Sequence, residues 1–94
     1  MTTSELVGIF TDINEKDKME QFFQEIFNEK ERNDISLRWQ LLKELHEGQT
    51  QRKIASNHKI SLCKITRGSK ILKNNNSIIK KLLVERFGEE KSRK

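Results

Sequence analysis

Not one proline interrupts this chain of 94 residues, and its apolar residues recur at helical spacing. Without proline, nothing forces a break inside a long helical pattern. Met19, Phe22, Phe23, Ile26 and Phe27 fall at i, i+3, i+4, i+7 and i+8, the spacing that puts side chains on one face of a helix. Alternation of β-branched residues is scarce, so the chain is expected to be all-α. The Met19–Phe27 segment is the most apolar of the chain. It reads as core, either internal or shared with a second subunit.

The remaining helices follow from the same pattern and from their end signals. Ser4 can cap a first helix in which Leu6, Val7, Phe10 and Ile13 fall near one side. Asn14 to Asp17 is a polar break, and Asp17 can cap the next helix. Asn28 can cap a third, with Glu29 and Glu31 in its first turn, where negative charge suits the helix dipole. Its apolar members are Ile35, Leu37, Leu41, Leu42 and Leu45, and Gly48 ends it. After Asn74-Asn75-Asn76, Ser77 or Asn76 caps a last helix with Ile78, Ile79, Leu82, Leu83 and Phe87 on one side. Gly88 ends that one, and a charged tail follows. Six helices are expected in a single domain, residues 1–94. Residues 1–49 are expected to hold the core helices and any surface shared with a second subunit, 50–73 two shorter helices and 77–88 the last helix.

Only 33% of the residues are apolar, and 35% are charged. So short and polar a chain is marginal alone, which favours a core completed by a partner chain. The net charge of +5 hides an asymmetry. Residues 1–49 hold six Lys/Arg against eleven Asp/Glu, and residues 50–94 hold thirteen against three. A basic half beside an acidic half suggests that one end meets a polyanion, with nucleic acid favoured over an anionic membrane surface. Cys63 with His46 and His58 offers too few ligands for a metal, at no metal-binding spacing. No apolar run approaches the ~20 residues of a membrane span, and no basic start precedes one. A soluble, cytoplasmic protein is expected.

The basic half centres on Gln51 to Lys73. Gln51 to Ser56 reads as a short helix, Asn57-His58-Lys59 as a break and Ser61 as the cap of a second helix. Leu62, Ile65, Ser69 and Leu72 form its inward stripe; Cys63, Thr66, Lys70 and Lys73 share another face. Two helices joined by a short turn, the second polar and basic outside, have the layout of a helix-turn-helix reader of DNA. A basic surface helix with no such role fits the pattern equally. Gly68 stands within the helical pattern, where glycine costs about 1 kcal/mol relative to alanine. Either something approaches the backbone there or the glycine merely loosens the helix.

Ile65-Thr66-Arg67-Gly68-Ser69, with Thr50-Gln51-Arg52 upstream and Leu72-Lys73 downstream, resembles the Trp repressor family. Glu31-Arg32, Arg38, Lys43-Glu44-Leu45 and Glu47-Gly48 extend the likeness. The resemblance implies a six-helix, intertwined homodimer that binds a palindromic operator when L-tryptophan is bound as corepressor. It also implies a ligand between the reading helix and the long central helix, with the glycine making room for the indole. Carried over, Arg67 and Arg38 flank the indole, Arg67 meets the carboxylate, and Asn28 is the polar group at the start of the central helix. Guanidinium planes do stack on aromatic faces and fork onto carboxylates. For Arg38 taken alone, an ion pair with Asp34 is the default reading.

The chain departs from the family in two places. Family members commonly carry a small residue, often serine, where this chain has Ile71. Ile71 shares a face with Arg67, so it would abut the ligand's amino or carboxylate end. A branched apolar side chain bonds no ammonium group, and leaving one unpaired costs about 1–3 kcal/mol. Either the amino group finds other partners, or affinity is low, or a ligand lacking that group is preferred. The stretch between Gly48 and Arg52 is also one residue shorter. For DNA, the candidates are Gln51, Arg52, Cys63, Lys64, Thr66, Lys70 and Lys73. Arg52 suits a guanine edge, and Lys70 and Lys73 suit phosphates. Lys80 and Lys81 read as solvated surface. The expected function is tryptophan-dependent repression of tryptophan metabolism genes. The alternatives are a helix-turn-helix regulator indifferent to tryptophan and a basic module that binds an acidic protein. No constellation for an enzyme is present.

Overall fold

The computed structural model describes residues 3–91. Among them lie six helices and no strand: α1 (Ser4–Asp12), α2 (Lys16–Ile26), α3 (Glu29–His46), α4 (Gln51–His58), α5 (Leu62–Lys73) and α6 (Ile78–Phe87). They form two compact units, divided within α3 between Ile35 and Ser36.

In the first unit, Phe10 of α1 meets Phe22 and Phe23 of α2 edge-on, with ring centroids 5.1 and 5.6 Å apart. Phe23 stacks edgewise on Phe27 at 5.3 Å. Edge-to-face geometry sets the positive rim of one ring against the negative face of the next. Yet no residue of α1 or α2 is fully buried. The expected helix starts shift here. Thr3, not Ser4, stands at the cap of α1, and Glu15, not Asp17, at the cap of α2; neither makes a side-chain cap bond. Several polar residues compete at each place, and the pattern does not rank them. Asn28 does cap α3. Its Oδ1 accepts from Glu31 N–H at 2.8 Å, and Glu31 Oε1 accepts from Asn28 N–H at 3.0 Å. This reciprocal box satisfies two donors that the helix start leaves free.

The core lies in the second unit: Leu41, Leu42, Leu45, Ile54, Ile65, Leu72 and Leu83. Leu37, Trp39, Ala55, Ile60, Ile71 and Ile79 pack around it, half-buried. Gly48 closes α3 with φ of 91°, a backbone conformation that favours glycine. Its N–H donates to Leu45 O and that of Gln49 to Glu44 O, both at 3.1 Å. These are the two bonds of a Schellman stop. Thr50 follows at once and caps α4, its Oγ1 accepting from Lys53 N–H at 3.2 Å. The shortened turn is thereby accommodated, since Gln49 alone separates the stop glycine from the cap. Ser77 caps α6 in the same way through Lys80 N–H. Of the α6 apolar residues only Leu83 is buried; Ile78 is 70% exposed. No helix among the described residues is long and apolar enough to cross a membrane.

At Gly68 the backbone of α5 meets α3. A Cβ built there would lie 3.3 Å from both Leu42 Cδ2 and Leu45 Cδ1. Gly68→Ala should change stability by no more than about 1 kcal/mol, because its helix-propensity gain offsets the crowding. Gly68→Val should cost about 3 kcal/mol, since its branches have nowhere to go. Urea unfolding of the two variants checks the contrast.

Candidate nucleic-acid interface

α4 and α5 pack as a pair through Ile54 and Ile65, both fully buried. α4 runs two residues further than expected, to His58, so Asn57 and His58 are helical and the break falls at Lys59. Lys59 is left-handed, with φ 55° and ψ 47°. Ile60 N–H then donates to Ala55 O at 3.1 Å, closing the helix. A left-handed residue other than glycine costs about 1–2 kcal/mol, and the tight turn keeps it. Ser61 stands at the cap of α5 in extended conformation but makes no side-chain cap bond.

The faces of α5 sort as the pattern requires, with one exception. Ile65, Gly68, Ser69 and Leu72 are buried. Leu62 is 45% exposed and does not belong to the inward stripe, because it sits in the first turn, before α5 reaches the core. Cys63, Lys64, Thr66, Arg67, Lys70 and Lys73 are exposed, as is Arg52 on α4; Gln51 is half-buried. Thr66 Oγ1 lies 3.2 Å from Gln51 Oε1 and 3.0 Å from Leu62 O. The hydroxyl thus joins the start of α4 to the outer face of α5. A small polar and cationic surface results, mounted on two buried isoleucines.

The residues carried over for a ligand are distributed as follows. Leu42 and Leu45 of α3 meet Gly68 of α5 directly. Close packing of the two helices therefore accounts for the glycine, and no loosening of α5 is needed. Arg38 is exposed, one turn before Leu42 on the same face of α3. Arg67 adjoins the crossing and is exposed. Ile71 is half-buried and packs against the core. Asn28 lies in the first unit, its side chain engaged in the cap of α3. Asp34 is held by Lys30, Nζ to Oδ2 3.4 Å, and not by Arg38. No group of three His, Cys, Asp or Glu among the described residues is placed to hold a metal.

Pattern reading missed the polar anchor of the motif. Glu44 is only 6% exposed. Its Oε2 accepts from His58 Nε2 at 2.7 Å and from Gln40 Nε2 at 2.9 Å. The carboxylate on α3 thus grips the last residue of α4, just before the left-handed turn. Gln40 at i−4 was a readable sign. His58, fourteen residues away, carried none.

Comparison with known proteins bears on most of the chain. The family model described as Trp repressor protein matches residues 2–86. The Trp operon repressor homolog of Chlamydia trachomatis serovar L2 is 35% identical over 79 residues, which cover 79% of this chain and 84% of that protein. Its counterpart in Chlamydia trachomatis serovar D is 38% identical over 69 residues, covering 68% of this chain and 73% of that protein. No solved structure matches the chain.

His58→Ala would leave a buried carboxylate with one partner fewer. The expected loss is about 2 kcal/mol in urea unfolding. His58→Gln, which can still donate to Glu44, should recover at least half of it.

Proposed function

The chain belongs to the Trp repressor family, and so to a class of transcriptional repressors; from that premise we propose that it is a dimeric, DNA-binding repressor with L-tryptophan as corepressor. The observation that carries the reading is the outer face of α5. Cys63, Thr66, Lys70 and Lys73 stand exposed there, with Lys64 exposed on a flank of the same helix, while Ile65, Gly68, Ser69 and Leu72 anchor the opposite side. A helix held this way from behind can enter a major groove without unfolding its support. Arg52 would fork onto a guanine edge, Gln51, Cys63 and Thr66 would line the groove, and the lysines would neutralise phosphates.

Dimerisation has its own support. Val7, Ile9, Ile26, Ile78 and Phe87 are between 39% and 70% exposed in the single chain. So much uncovered apolar surface on a short domain suits a second copy. Two reading motifs about one DNA turn apart would then match a palindromic site. The chain would act as a single Trp-repressor-like domain in the cytoplasm.

The ligand would enter beside the α3–α5 crossing, with Arg38 and Arg67 on either face of the indole and Arg67 on the carboxylate. Ile71 would lie against its polar end. Binding beside the crossing would fix the tilt of α5, and only the liganded dimer would then fit both half-sites. Its strength is set by how much better tryptophan binds the DNA-competent form. A second reading keeps the DNA and drops the ligand. Ile71 favours it, because that side chain packs on the core and offers no hydrogen bond to an ammonium group.

The deciding experiment is binding to palindromic DNA, with and without L-tryptophan, at two salt concentrations. Lys64, Lys70 and Lys73 presented twice would make about six phosphate contacts. Affinity should then fall roughly a thousandfold between about 50 and about 200 mM salt. Tryptophan should tighten binding at least fivefold, and Arg38→Ala should abolish that response while leaving the salt slope unchanged. Salt-sensitive binding indifferent to tryptophan, with no heat on calorimetric titration, would establish the second reading instead.

A further inference from the structure

α3 ends with carbonyls that its own ladder cannot satisfy. Three are closed locally. Glu47 N–H donates to Lys43 O, Gln49 N–H to Glu44 O and Gly48 N–H to Leu45 O. The fourth, His46 O, accepts from Lys91 N–H at 3.0 Å, a donor that belongs to the tail after α6. The same tail holds the His46 ring. Nε2 lies 2.7 Å from Gly88 O, and a carbonyl only accepts, so Nε2 carries the hydrogen. His46 is 2% exposed, and its Nδ1 is buried without a partner. One turn earlier on α3, Lys43 Nζ stands 4.9 Å from the centroid of the Phe87 ring. Residues 87, 88 and 91 therefore grip residues 43 and 46. All three lie just past residue 86, where the family match stops.

We propose that Phe87–Lys91 is a clamp that positions the helix-turn-helix for DNA, with His46 as the positioning residue that receives it. The proposal rests on the DNA-binding reading above. Four residues, Glu47 to Thr50, separate the end of α3 from the start of α4. Fraying of the last turn of α3 would swing the departure of α4, and helix ends fray unless their carbonyls are held. The clamp supplies that hold from 45 residues downstream. Neither His46 nor the tail touches DNA in this scheme. They act through the junction.

Lys91→Pro removes the N–H that caps His46 O and leaves the core untouched. Lys91→Ala removes the same charge and keeps the N–H. Relative to Lys91→Ala, the proline variant should exchange its Gly48 and Gln49 amide hydrogens about fivefold faster and bind operator DNA about fivefold more weakly. Its salt slope should not change, because no phosphate contact is lost. His46→Leu should reproduce both effects, and His46→Gln, which keeps a donor near Nε2, should reverse them. Equal exchange in the two Lys91 variants overturns the clamp. Faster exchange with unchanged DNA affinity overturns its positioning role. If the wild type binds no palindromic DNA, the reading of the motif fails, and the exchange comparison still decides the clamp.

Discussion

α5 lies against α3 at the observed distance because residue 68 carries no side chain. A Cβ at that point would lie 3.3 Å from Leu42 and Leu45, tighter than ordinary contact, and any larger side chain would force the helices apart. The close crossing brings Ile65 and Leu72, one turn to either side, into the same core. Glycine in mid-helix costs about 1 kcal/mol, whereas burying two such side chains contributes about 1.5–3 kcal/mol each. The balance fixes how far the outer face of α5 stands from α3. What the reading face can do follows from that spacing together with the pairing of α5 and α4, where Thr66 Oγ1 meets Gln51 Oε1 at 3.2 Å.

Two polar contacts then set the direction of the motif. Glu44 takes hold of α4 at its far end through His58, and His46 is held by the tail at the near end. Both come from the last turn of α3. A hydrophobic contact is tolerant of rotation, since apolar surface has no preferred direction. A buried carboxylate or imidazole is not, because an unpaired one costs about 1–3 kcal/mol. The core decides that α4 and α5 are buried, and these two groups decide at what angle.

How much of this was legible in the sequence depends on the range of the interaction. Six helices could be read because the 3.6-residue period of apolar side chains needs only neighbours to be seen. Asn28, Gly48, Ser77 and Gly88 could be read as end signals because capping is local chemistry. Lys59 could not, because its left-handed backbone is imposed by the turn and leaves no mark on a lysine. Leu62 had the right period and the wrong place, one turn short of the core. The Glu44–His58 and His46–Gly88 contacts join residues 14 and 42 positions apart, and no periodicity connects them. Gly68 sits between these cases. Its sequence position announced a close approach, but the approaching atoms belong to Leu42 and Leu45.

That last point bears on any ligand at the crossing. The contact at Gly68 is already closed by two leucines, so a ligand cannot gain from filling it. Its leverage has to come from beside the contact, where Arg67, next to Gly68, and Arg38, one turn before Leu42, stand exposed. Two guanidinium groups would supply stacking and a forked contact to a carboxylate. Against this stands the ammonium group of tryptophan, for which Ile71 offers nothing, at a cost of about 1–3 kcal/mol. Allosteric coupling energies are typically of the same size, about 1–3 kcal/mol. The two terms are therefore comparable, and residue 71 would decide the response to such a ligand. A ligand with the same ring and carboxylate but no amino group would keep the first term and escape the second. Ile71→Ser would place a hydroxyl beside that end of the ligand. It should raise affinity for tryptophan about tenfold and leave affinity for the ligand without an amino group nearly unchanged, a difference that calorimetry reads directly.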